Sequence, residues 1–143
     1  MQSRKEQDRY IIRLERGEEI VGSLKQFCEE HGIGGASFYG LGAAEEIVVA
    51  RYNIEEKAYV TKNLTGPHEL VNITGDVSRK DELGGELLIH AHAVFASADF
   101  SAFGGHLKKA IVYATAEIFM QTYVTSLIRV QDPETKLPLL RLL

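Results

Sequence analysis

The spacing of apolar residues along the chain changes period twice. Arg9-Tyr10-Ile11-Ile12-Arg13-Leu14 is rich in β-formers and predicts a strand, which Gly17 brings to an end. Ile20, Val21, Leu24, Phe27 and Cys28 then recur at helical spacing and form one apolar stripe. Glu18 and Glu19 stand where the positive end of a helix dipole favours acids, and Gly32 after His31 is suited to the stop. Beyond this helix the pattern becomes short apolar runs between turn residues. Strands are predicted over 36–43, 47–52, 58–61, 68–77, 86–95, 110–123 and 125–130. The glycines of Gly40-Leu41-Gly42-Ala43 predict a place where a neighbour packs closely on the backbone. One helix followed by many closely connected strands predicts an α+β fold with a largely antiparallel sheet, since parallel pairs need crossover connections. No repeat, linker or low-complexity stretch divides residues 1–143, so a single domain is expected. The last seven residues, Leu137-Pro138-Leu139-Leu140-Arg141-Leu142-Leu143, hold five leucines and are expected to dock on the core or on a neighbouring subunit.

Composition adds few surprises. The chain has 143 residues, 45% apolar and 25% charged, as in an ordinary globular domain. Sixteen Lys and Arg face 20 Asp and Glu, a formal charge of −4. That balance weighs against unaided nucleic-acid binding, where phosphate neutralisation supplies most non-specific affinity. Cys28 is the lone cysteine, so no intrachain disulfide forms, and its place on the helix stripe predicts a buried thiol. The start of the chain does not read as a signal peptide, and no run approaches the roughly 20 apolar residues of a membrane span. A cytoplasmic protein with no membrane partner is expected.

Candidate chemistry concentrates in three of the five histidines. His90-Ala91-His92 lies in a predicted strand, where residues two apart project from one face roughly 6.6–6.8 Å apart. Ile89, Ala91 and Ala93 then face the core. His106 follows Gly104-Gly105, read as a flexible turn before the next strand that brings the third imidazole to the other two. Three imidazoles converging on one point suit zinc with an open fourth position. The same pattern is also met by exposed or hydrogen-bonded histidines that hold no metal.

Other signals are weaker. Gly40-Leu41-Gly42-Ala43 lacks the third glycine and the following helix of a dinucleotide fingerprint. Ser37, Ser78, Ser97 and Ser101 have no nucleophile context. Glu117 is read as a carboxylate supporting the histidines, as a general base, or as an acid at the edge of the core paired with a lysine or arginine. Lys108-Lys109 would contact an anion if the site takes one. His31 is placed at the helix C-terminus, and His68 lies outside the cluster.

Taken in order, several segments resemble the PPC (DUF296) domain, free-standing in prokaryotes and fused to AT-hooks in plants. They are Arg13-Leu14-Glu15-Arg16-Gly17-Glu18-Glu19, Gly40-Leu41-Gly42-Ala43, Gly66-Pro67-His68-Glu69-Leu70, His90-Ala91-His92, Gly104-Gly105-His106-Leu107 and Thr115-Ala116-Glu117-Ile118. The resemblance spans about residues 9–130. It implies a largely antiparallel sheet of about seven strands flanked by a helix, a homotrimer, and a site that looks like zinc in some members. In plant relatives the AT-hook grips DNA while this domain serves assembly and partner binding. This chain carries no Arg-Gly-Arg-Pro-like hook, so direct nucleic-acid binding is not expected. Two departures stand out: Ala96 to Phe103 is more apolar than the family's usual turn, and His68 replaces an aromatic or aliphatic residue. The reading that follows is an assembly and partner-binding module with a metal on His90, His92 and His106, possible protein partners and a family link to transcription. The alternative is a zinc-dependent enzyme acting on a small molecule.

Overall fold

The structure, a computed structural model, describes residues 1–81 and 85–142. In chain order the elements are β1 (Gln2–Glu6), β2 (Arg9–Glu15), α1 (Ile20–Glu30), β3 (Ala36–Asn53), β4 (Ala58–Leu64), β5 (His68–Lys80), β6 (Leu87–Ala96), β7 (Ala102–Thr122), β8 (Ile128–Gln131) and β9 (Pro138–Arg141). The α+β class, the largely antiparallel sheet and the one main helix agree with the sequence pattern. The nine strands exceed the expected seven by short additions at the two ends of the chain. Only β5 and β8 pair in parallel among the described strands, over Arg79↔Ile128 and Lys80↔Arg129.

Helix α1 forms where its apolar stripe predicts. Ile20, Leu24, Phe27 and Cys28 are at most 1% exposed. Burying a large apolar side chain contributes about 1.5–3 kcal/mol, so this stripe fixes the helix on the sheet. The Glu19 carboxylate caps the first turn, accepting from the amides of Val21 (3.1 Å) and Gly22 (2.6 Å), and it also accepts from the Ala110 amide of β7 (3.2 Å). His31 closes the helix, and Gly32 follows at φ +65°, the left-handed region that glycine enters at little cost. Cys28 Sγ lies 3.9 Å from Met120 Sδ, and burial pushes its thiol up to about 12.

The predicted strands 36–43 and 47–52 are one strand, β3, with register shifts near Gly42 and between Glu45 and Val48, and a positive φ of +48° at Glu46. These bulges let one strand change partners: residues 36–44 pair with β5 and residues 47–53 with β4, while β7 runs beside both parts. Strands β3, β5, β6 and β7 pair in a closed circuit, because the end of β6 also pairs with the start of β7. Phe38, Ile73, Ala91, Phe95 and Leu107 are buried in the core.

Strand β7 begins eight residues earlier than the apolar pattern indicates. Gly104-Gly105 is therefore no turn; it lies inside a strand and places His106 in pleated backbone. Close approach explains the glycines: a Cβ at residue 104 would stand 2.4 Å from the Ala93 carbonyl oxygen, and one at 105 would stand 2.7 Å from that of Ala50. At the far end β8 and β9 form a hairpin. Its Leu137 and Pro138 are half-buried, Leu139, Leu140 and Leu142 are exposed, and Leu143 lies outside the described residues.

Candidate metal centre

His90 and His92 project from the outer face of β6, while Ala91 and Ala93 between and beyond them are buried, as the strand period requires. His106 pairs directly with His92 across the β6–β7 ladder, and Leu107 beside it turns inward. Register brings the three rings together. Their centroids are 5.3 Å (His90–His92), 5.3 Å (His90–His106) and 5.4 Å (His92–His106) apart, and one ring nitrogen from each lies within 4.8 Å of the others. Three imidazoles on a tetrahedral zinc with bonds of about 2.0–2.1 Å have centroids roughly 5 Å apart. The donor set and its spacing therefore fit such an ion.

Two residues not singled out from the sequence complete the surroundings. Asp76 of β5 faces His90 in register, its Oδ2 3.2 Å from His90 Nδ1. Arg129 of β8 reaches the same place: Nη2 donates to Asp76 Oδ2 at 2.6 Å and lies 2.9 Å from His90 Nδ1. Its Nε donates to Ser78 Oγ and its Nη1 to the Pro138 carbonyl. The one signal that could have found Asp76 is the short separation of the predicted strands 68–77 and 86–95, which suits an antiparallel pair with a residue of the first opposite His90. Arg129 had no such signal, since β8 arrives from 39 residues further on.

Charge at the site follows from burial. Burial alone would raise the Asp76 carboxyl, but hydrogen bonds from His90 and Arg129 outweigh it and hold the group below its usual value. His92 is lowered by burial and by His90. His106 is pushed down from 6.5 to about 4, chiefly by burial and then by Lys108. Neutral imidazoles near pH 7 have their lone pairs available for a cation.

A cleft of about 910 Å³ opens beside the rings, between the β3–β4 arm, the start of β7 and the β8–β9 hairpin. Lys108 lines it, whereas Lys109 pairs with Glu46 at 3.0 Å. Glu117 is not at the cluster. It lies on the same strand as His106 but eleven residues further along, where it pairs with Leu41 and Arg13. His68 is also apart, packed edge-on against Phe103 with its Nδ1 2.9 Å from the Gly66 carbonyl oxygen. His31 caps α1 and stacks on Phe27. No helix among the described residues is long and apolar enough to cross a membrane.

Comparison with known proteins places this geometry in context. A family model, the Plants and Prokaryotes Conserved (PCC) domain, matches residues 1–124. A plant- and prokaryote-conserved (PPC) protein of Pyrococcus horikoshii is 31% identical with a TM-score of 0.86, covering 99% of this chain and 94% of its own. A metal-containing protein of Archaeoglobus fulgidus is 32% identical with a TM-score of 0.84, covering 93% and 92%. A protein of Bacteroides thetaiotaomicron named as a "putative DNA-binding protein" is 29% identical with a TM-score of 0.91, covering 98% and 96%. No curated protein matches the chain.

Proposed function

The chain belongs to the Plants and Prokaryotes Conserved family, and on that premise we propose that it is a cytoplasmic, homotrimeric module holding zinc on His90, His92 and His106. Its role is assembly and the docking of protein partners. The observation that carries the metal reading is the near-equal spacing of the three rings, at 5.3–5.4 Å. Imidazoles alone, without thiolates, favour zinc over softer-ligand metals and leave a fourth position open. A zinc ion held there would supply a Lewis acid, and Asp76 would orient the His90 ring that ligates it. The metal-containing relative supports the same reading.

Support for assembly comes from the outer face of the sheet. Tyr39 and Leu41 of β3 are 59% and 52% exposed, and Val71 and Val94 are exposed beside them. Tyr39 stacks on Phe119 at 5.3 Å, and the row Phe119–Tyr39–Thr74–His92 runs across four strands to the histidines. An apolar face of this breadth is suited to contact with other copies. The DNA-binding name of one relative fits an indirect association better than a direct one, given the formal charge of −4.

Metal analysis of untagged wild type and His92→Ala tests the metal reading. Wild type is expected to carry close to one zinc per chain and the variant almost none; equal trace metal in both would end it. A shift assay at low and high salt tests direct DNA binding, which predicts a complex that weakens steeply as salt rises. A second reading, a zinc-dependent enzyme acting on a small molecule, is favoured by the cleft that adjoins the rings.

A further inference from the structure

The cleft beside the histidines has an unusual balance of charge for this chain. Arg51, Lys62, Lys108 and Arg129 line it, and among the described residues no Asp or Glu does, although the protein carries four more acids than bases. Arg129 is compensated by Asp76 at 2.6 Å. The lysines are held differently. Lys108 Nζ rests over the Tyr59 ring at 4.0 Å, and that ring lies 5.1 Å from His106; Lys62 Nζ stands over Phe103 at 5.6 Å. Neither lysine meets a carboxylate within ion-pair distance among the described residues, whereas Lys25 and Lys109 pair with Glu86 and Glu46 at 2.9 and 3.0 Å. An ammonium resting on a ring face still has donors free on its other side.

The walls are of the opposite character. Val60 of β4, Leu88 and Ile89 of β6, and Leu137 and Leu139 of the C-terminal hairpin enclose the cleft with aliphatic surface. A small inorganic anion would leave that surface wet, and a neutral hydrocarbon would leave the ammonium groups unanswered. The volume of about 910 Å³ suits an organic molecule of appreciable size.

We infer that this cleft binds an amphipathic organic acid, its carboxylate held by Lys108 at the histidine cluster and its apolar body lying along Val60, Leu137 and Leu139. The inference deepens the metal reading, because the carboxylate end adjoins the same three rings, but Lys108 and the aliphatic walls do not depend on the ion. Calorimetric titration of the full chain, zinc-loaded and metal-free, with hexanoate, hexan-1-ol, hexylamine and acetate tests it. Hexanoate is expected to bind at least ten-fold more tightly than the alcohol, the amine or acetate. Lys108→Met, which keeps the apolar stem, is expected to weaken hexanoate about ten-fold and leave hexan-1-ol unchanged. Hexanoate no tighter than hexan-1-ol, or acetate as tight as hexanoate, would overturn the inference. If zinc fails to bind while the metal-free chain still prefers hexanoate through Lys108, the metal reading falls and the acid site stands. If zinc binds with no preference for hexanoate, the acid site falls alone.

Discussion

The His90 imidazole faces two partners that require opposite tautomers. If Nδ1 carries the proton it donates to Asp76, and Nε2 has its lone pair free; if Arg129 donates to Nδ1, the proton must sit on Nε2. Only the first form can ligate a metal through Nε2, so at the proposed metal site Asp76 would be a positioning residue whose negative charge selects that form. Asp76→Asn should therefore weaken zinc binding by about 10–100-fold while far-ultraviolet dichroism stays unchanged, as measured by competition with a chromophoric chelator. An unchanged affinity would remove Asp76 from the site. His106 makes a separate prediction for the metal-free chain. Its folded pKa, about 4, lies below the ordinary 6.5, so between these values the unfolded chain binds a proton that the folded one does not. Stability is thus fully present above pH 6.5, is lost as pH falls through that window, and levels below about 4. His92, shifted the same way, adds to the slope. Thermal midpoints at pH 7.5 and 4.5 should fall further apart for wild type than for His106→Asn; identical differences would contradict the burial of that ring.

Strands β6 and β7 do at the level of elements what no single histidine can. Pairing His92 with His106 in register converts a separation of fourteen residues into adjacent side chains, and the glycines before His106 allow that ladder to close. Gly104→Ala places a methyl group against the Ala93 carbonyl; the methyl is fixed by its own Cα and the carbonyl by the strand, so neither can swing away. It should cost about 1–3 kcal/mol and lower zinc affinity together with the melting temperature. A variant that melts and binds like wild type would show that the ladder can open without loss. The helix, by contrast, was legible in detail: its stripe, its acidic start and its glycine stop all lie where the spacing places them. The glycine pair was not, because two glycines in sequence read as a turn. Only the approach of two neighbouring carbonyls reveals a strand that tolerates no side chain.

Over the whole molecule the sheet leaves one face partly uncovered, and the histidines stand at its margin. If copies of the chain meet there, a charge at the centre of the face should separate them. Leu41→Arg is expected to convert a trimer to monomers in sedimentation velocity, with secondary structure unchanged because residue 41 is already half in solvent. A variant that sediments with wild type would place the contact elsewhere. The same experiment asks whether zinc and assembly are linked: monomers that keep full zinc affinity would show that each chain builds its own site.

Local spacing alone determined the helix, most of the strands, the largely antiparallel class and the common direction of His90 and His92, since each depends on periods of two or 3.6 residues. Tertiary structure decided the rest. The union of two predicted strands into β3, the strand conformation around Gly104, the pairing of His92 with His106, and the arrival of Asp76 and Arg129 all depend on contacts between distant segments. The cleft is of the same kind, because its lysines and leucines come from four separate elements. Periodicity records which way a side chain points from its own backbone; it carries no information about which other segment that side chain will meet.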